Sequence, residues 1–256
     1  MGETLARDDW DRHWTRMGEA ATSNPAQAMR RRITRALLDA TGPDVRILDI
    51  GCGQGDLMAE LRRHLPEAEL YGIDHSRRGV DIARARVPDA RFAQWDLLRC
   101  GEPEAALAGW ATHAVCSEVL EHVDDPEALL TNARACLAAG CRVVVTVPGG
   151  PISAFDRHIG HRRHYTRESL RRTLVAAGLR VEHVSGAGFP FFNLYRGVVI
   201  IRGGRMVRDV GGDGSALPSP PARAAMAAFR VLLSIPVPTN RLGWQLVGVA
   251  TEPRAV

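Results

Sequence analysis

The chain has 256 residues, 45% of them hydrophobic and 24% charged, with a formal net charge of +4. That length and balance predict one globular domain with a sizeable core and room for an elaboration. No stretch reaches the roughly 20 apolar residues of a membrane span. All 33 basic residues are arginine, interspersed with acids through most of the chain apart from the basic run at 157–165, and not the one-sided cluster of a nucleic-acid binder.

The first nine residues are acidic and lack the apolar core of a signal peptide, so a cytoplasmic location is expected. Cys52, Cys100, Cys116, Cys136 and Cys141 form no C-x-x-C pair. They predict reduced thiols, and neither a disulfide framework nor a zinc site.

Residues 1–44 are predicted to form an N-terminal helical lid. Trp10 and Trp14, four apart, share a helical face. Asn24-Pro25 starts a second helix, which carries Arg30, Arg31 and Arg32 and an apolar stripe of Ile33, Leu37 and Leu38. Strands are then predicted at 45–50, 69–73, 90–93, 111–116, 142–147, 179–184 and 244–250. Helices are predicted at 56–64, 77–86, 126–137 and 166–177. Asp125 caps the third of these and Thr166 the fourth. Such alternation predicts a mainly parallel α/β sheet with helices on both faces. Residues 149–165 read as a long loop. Residues 188–242 break the alternation: an apolar aromatic run, a Gly-rich turn at 211–214, then an Ala-rich helix reaching Leu233. They form an insertion before the last strand, predicted to wall a substrate cavity or to contact a second copy. The core is therefore 45–187 with 243–256.

The first strand ends in Leu48-Asp49-Ile50-Gly51-Cys52-Gly53-Gln54-Gly55-Asp56. A glycine loop between strand and helix lets the backbone approach a ligand at the carboxyl end of a parallel strand. A dinucleotide site would place a third glycine at position 56, where Asp56 stands. With Asp49 nearby, two carboxylates would repel a pyrophosphate. The acids suit a cationic ligand without phosphate, and S-adenosylmethionine is one. Asp74, after the second strand and beside His75, suits a ribose diol. Asp96, after the third strand, can accept from an adenine amino group, with Leu97 against the ring.

These residues resemble the class I S-adenosylmethionine-dependent methyltransferases. The resemblance rests on the glycine loop, Gly72-Ile73-Asp74, Trp95-Asp96-Leu97 and Cys116-Ser117-Glu118-Val119-Leu120-Glu121-His122-Val123. It implies a Rossmann-like seven-stranded sheet whose last strand is antiparallel. It also implies cofactor contacts from Asp49, Gly51, Cys52, Gly53, Gly55, Asp74, His75, Asp96 and Leu97, and from the backbone of Ser117. Arg30 or Arg31 would meet the methionine carboxylate, and Trp10 would cover the ligand.

Two segments are candidates for the chemistry. Glu118, Glu121 and His122 are similar to a segment implicated in divalent-metal binding in ubiquinone-pathway O-methyltransferases. The same pattern recurs in relatives without metal, and no metal is favoured here. Residues 157–165 resemble a G-H-x-R-R-Y element of bacterial small-molecule methyltransferases, with His164 placed between the Arg pair and Tyr165. His158 or His161 is the candidate general base; His122 and Tyr165 are further candidates. The arginines could hold an acidic acceptor, and the insertion aromatics suit a partly apolar one. The expected function is methyl transfer to oxygen or nitrogen of a small molecule, releasing S-adenosylhomocysteine. Nucleic acid is not an expected partner. An RNA or protein methyltransferase ranks lower, because Cys116-Ser117-Glu118-Val119 replaces the Asn/Asp-Pro-Pro-Tyr element. A non-catalytic cofactor-binding scaffold is the third reading.

Overall fold

The computed structural model of the protein describes residues 9–99, 105–211 and 220–254. Cys100, the first eight residues, the Gly-rich turn beyond Gly211, and Pro218 lie outside them. The elements run α1 (Trp10–Ser23), α2 (Pro25–Leu38), β1 (Arg46–Ile50), α3 (Asp56–His64), β2 (Glu69–Asp74), α4 (Arg77–Arg86) and β3 (Arg91–Gln94). There follow β4 (Ala111–Ser117), α5 (Pro126–Ala133), β5 (Leu137–Pro148), α6 (Ala154–His158), α7 (Arg167–Ala176) and β6 (Arg180–Ala187). The chain ends with α8 (Phe191–Gly211), α9 (Pro220–Ser234) and β7 (Gln245–Thr251).

The seven strands make one sheet in the order β3-β2-β1-β4-β5-β7-β6. Neighbours are parallel from β3 through β5, and β7 runs antiparallel to both β5 and β6. The expected seven-stranded sheet with a reversed last strand is therefore present, as is a helical insertion before that strand. Strand residues alternate sides. Leu48, Ile50, Ile73, Cys116 and Val145 join a core completed by α5 and α7. Ile47, Leu70, Val115 and Val144 join a second core with Leu38 of α2, Met58 and Leu61 of α3, and Ala83 of α4. A third, smaller cluster of Ala26, Met29, Phe192 and Leu233 ties α2 to the insertion.

Three predicted boundaries differ. The helix expected over 126–137 stops at Ala133, continues as a 3-10 turn through Cys136, and β5 starts at Leu137. Helix propensity in the Ala-rich stretch yields to pairing: Gly140 N donates to Glu252 O and Glu252 N to Cys141 O, which draws this segment into the sheet. The expected loop at 149–165 contains α6, started by a capping box between Ser153 and Asp156. Residues 191–211 form one helix despite Gly197 and the β-branched run Val198-Val199-Ile200-Ile201. Burial of Phe192, Arg196 and Val199 on one side outweighs that weak propensity.

Candidate active site

Parallel pairing brings the carboxyl ends of β1, β2 and β4 to one edge, with Ile50 opposite Ile73 on one side and Cys116 on the other. Gly51 N and Cys52 N both donate to Ile73 O, folding the glycine loop across the end of β2. Asp74 fastens it: one carboxylate oxygen accepts from Gly53 N at 2.8 Å, the other from Ser76 N at 2.8 Å. Each oxygen keeps capacity for a further donor, as a diol requires. Gly53 has φ +51° and lies against the Trp14 ring, where a Cβ would collide. Gly55 lies instead against Ala83 of α4 and lines neither cavity described below, so it serves helix packing.

Two hollows meet over this loop and share Trp10, Trp14, Gly51, Glu118 and His122. The larger, about 480 Å³, is lined by Asp74, His75, Trp95, Asp96, Leu97, Val119 and Leu129 among others. Asp96 accepts from Leu98 N at 3.0 Å, and Leu97 O accepts from Asn132 of α5 at 2.6 Å, so this segment is held in place. The smaller, about 280 Å³, is lined by Asp49, Cys52, Arg30, Arg31, Ser117, Glu121, Phe155, Asp156, His161, Tyr195 and Arg196 among others.

α1 covers the junction. Asp11 accepts from Ser76 Oγ at 2.5 Å and from Arg78 N at 3.0 Å, pinning α1 to the start of α4. The Trp10 ring meets His122 edge-on, with centroids 4.6 Å apart. α2 reaches the smaller cavity with Ala26, Gln27, Arg30 and Arg31, while Leu38 at its far end lies in the second core.

The electrostatics ask for a cation. Burial, then the neighbouring Asp74, raises the Asp49 carboxyl to about 7. Burial also raises Asp74, against the lowering effect of its two backbone hydrogen bonds. Asp56 stands at the N-terminus of α3, where a pyrophosphate would bind, and its carboxylate is taken by Gln54 at 2.7 Å and by Arg86. These features fit S-adenosylmethionine and not a dinucleotide. Asp74 and His75 would hold the ribose, Asp96 and Leu97 the adenine, and Asp49 the cationic methionine end.

The catalytic candidates separate. His161 lines the smaller cavity. His158 lines neither, because α6 turns Phe155, Asp156 and Ile159 toward the cavity and His158 to another side. Tyr165 is buried and donates to Leu120 O at 3.2 Å, and burial raises its hydroxyl further above the ordinary range. It fastens the loop and does not reach the cavity. His122 lines both cavities, and burial followed by the nearby His13 lowers it to about 3.

His161 belongs to a chain of contacts. His164 Nδ1 lies 3.0 Å from Gly150 O, and His164 Nε2 lies 3.1 Å from His161 Nδ1. A carbonyl only accepts, so His164 Nδ1 carries the hydrogen and its Nε2 accepts from His161. The Nε2 of His161 is therefore a bare lone pair. Burial, then His122, lowers His161 to about 2, so the ring is neutral.

A family model described as a methyltransferase domain matches residues 21–184. The chain belongs to that methyltransferase family. It is 37% identical over 89 residues to trans-aconitate 2-methyltransferase of Yersinia pseudotuberculosis, which covers 35% of this chain and 32% of that one. It is 29% identical over 168 residues to ubiquinone biosynthesis O-methyltransferase of Aeromonas salmonicida, covering 59% and 70%. The chain thus spans about a third of the length of the first relative and two thirds of the second. A Thermotoga maritima structure, described as a "possible histamine N-methyltransferase", superposes with a TM-score of 0.60 at 18% identity, covering 95% and 97%. At that identity the likeness is one of fold.

Within this methyltransferase-family chain, several contacts that organise the cavity had no signal in the sequence. Glu118, at φ +58°, is held by Arg30 Nε at 3.1 Å, Gln245 Nε2 at 2.8 Å and Thr146 Oγ1 at 3.2 Å. Held this way, it is not grouped with Glu121 and His122. Among the described residues the structure groups Glu121, His122 and His161 instead, with ligand atoms within 4.8 Å of one another. That set could hold a divalent cation. Asp156 and Arg196 form a two-point pair at 2.7 and 2.9 Å across forty residues. Two arginines of the loop are also engaged: Arg162 pairs with Asp124 at 2.5 Å, and Arg163 donates to Asp124 O at 2.9 Å.

Proposed function

We propose that the protein transfers a methyl group from S-adenosylmethionine to a hydroxyl or amine of a partly apolar small molecule. One observation carries the cofactor: the carboxyls of Asp49 and Asp74 lie buried under a glycine loop, both raised, in want of a cation. The bound cofactor supplies an electrophilic methyl group on a sulfonium.

The chain's own residues orient the acceptor and take its proton. His161 Nε2, a bare lone pair on the cavity wall, accepts the hydrogen of the acceptor hydroxyl or amine. His164 and Gly150 O fix the tautomer and plane of that ring. Trp10 and Trp14 of α1, with Tyr195 and Val199 of α8, line the cavity with apolar surface.

The charge inventory of the smaller cavity supports a neutral or amine acceptor over an acidic one. Its arginines are paired: Arg30 with Glu118, Arg31 with Glu60 at 3.2 Å, and Arg196 with Asp156. Glu121, by contrast, is fully buried with neither oxygen hydrogen-bonded. Burial, then Glu118, raises it well above the carboxylate range. Such a group is protonated near neutral pH and asks for a hydrogen-bond partner from the ligand, donor or acceptor. Labelled methyl transfer should therefore proceed to phenols or amines in an acceptor panel. Base-labile methyl esters as the main product would overturn this acceptor class.

A further inference from the structure

We propose that the outer face of α8 and α9 docks on an anionic lipid surface. The observation is a set of apolar side chains on α8 and α9 that, among the described residues, stay uncovered. Leu194, Val198 and Ile201 recur at helical spacing on α8, with Leu194 57% and Ile201 86% exposed. Val231 of α9 is 66% exposed, and Met226 and Ile235 are also open. Around them Ala224, Ala225, Ala227 and Ala228 face solvent. No helix of the described residues is long and apolar enough to cross a membrane, so this face would lie on the surface.

Charge selects the occupant. Residues 188–242 carry seven arginines and two aspartates, a surplus of five, whereas the whole chain carries +4. The chain's positive excess is thus concentrated in the insertion, and the remainder is close to neutral. Residues 220–242 contain no acid. Arg202, Arg223, Arg230 and Arg241 are exposed. On α9, Arg223 and Arg230 flank Ala227 and Met226 around one shallow hollow. Apolar side chains bordered by arginines suit the boundary between acyl chains and anionic headgroups, where long stems bury and their charges stay in the polar layer. A twofold contact with a second copy would set these arginines against themselves, with no acid in 220–242 to answer them.

The inner side of α8 brings Tyr195, Arg196 and Val199 to the cavity wall. The docked face and the smaller cavity therefore share one helix.

The test is co-sedimentation of the full chain with phosphatidylcholine vesicles, with and without about a third phosphatidylglycerol. The wild type should pellet with the anionic vesicles, fail to pellet with pure phosphatidylcholine, and be released at high salt. Each arginine near an anionic surface is worth about fivefold in partitioning. Arg223→Gln with Arg230→Gln should therefore weaken binding by at least about tenfold. Ile201→Glu with Val231→Glu, at exposed positions, should do the same without changing the melting temperature. Absence of wild-type binding would overturn the proposal, as would equal binding to both vesicle types. So would a concentration-dependent dimer that the Glu substitutions dissolve.

Discussion

The side chain of His161, a residue of the cavity wall, donates its Nδ1 hydrogen to His164 Nε2 across 3.1 Å, which leaves a lone pair on its other nitrogen. The order of donors is imposed from the far end, by a backbone carbonyl at Gly150 that only accepts. A neutral imidazole with a fixed tautomer has a lone pair to receive a proton; burial weakens its basicity, so the assignment rests on its position and tautomer.

His161→Ala should lower kcat by about a hundredfold or more and leave affinity for S-adenosylhomocysteine unchanged. His158→Ala should behave as wild type, because His158 lines neither cavity. Steady-state kinetics beside calorimetry separates the two. Equal losses in both variants would remove His161 from its role.

Asp156→Ala should destabilise the fold by roughly 3–5 kcal/mol, because it leaves the buried Arg196 guanidinium without its partner. Replacing both, Asp156→Leu with Arg196→Met, should cost less than the single change. Burial works against the Asp156 carboxylate, but the hydrogen bonds and charge of Arg196 outweigh it and hold its pKa far below the ordinary 3.8. A depressed acid contributes stability that is present above its ordinary value and lost as pH falls toward the folded value. Urea melts between neutral and strongly acidic pH should show that loss, and the double variant should lack it.

Asp49 has the opposite sign. Its folded carboxyl titrates near 7 against an ordinary 3.8. The folded chain keeps a proton there that the unfolded chain has released, so this group lowers stability as pH rises through that window. A bound cation favours the ionised form, so cofactor binding near pH 6 should release a proton and tighten as pH rises toward 7. Calorimetry in buffers of different ionisation enthalpy measures the proton directly. Asp49→Asn should abolish the release.

Gly53→Ala should displace Trp14, since the new methyl group would occupy the space of the indole. The left-handed backbone at Gly53 adds a cost of about 1–3 kcal/mol. A shift of tryptophan emission toward that of exposed indole checks the displacement. An unchanged spectrum would show that α1 does not rest on the loop.

Much of this was legible in the sequence because it is local. A strand end, three glycines and an acid lie within ten residues, and the register of a parallel sheet then brings Asp49, Asp74 and Ser117 to one edge. What was not legible depends on long-range pairing. The hold of Arg30 and Gln245 on Glu118 joins three distant segments. The pair of Asp156 and Arg196 crosses from a loop read as irregular to a helix that propensity did not announce. His158 and His161 stand equivalent in the sequence. Only the turn of α6 and the contact with His164 distinguish them.

The central claim is that the glycine loop holds a phosphate-free nucleoside that carries an ammonium group. Calorimetric titration of the full chain with S-adenosylhomocysteine, and in parallel with NAD, tests it most directly. The site predicts binding of S-adenosylhomocysteine with a Kd in the micromolar range or tighter, about −8 kcal/mol. Asp74→Ala should weaken that binding by at least about tenfold, and NAD should give no saturable heat. Saturable binding of NAD without binding of S-adenosylhomocysteine would contradict it.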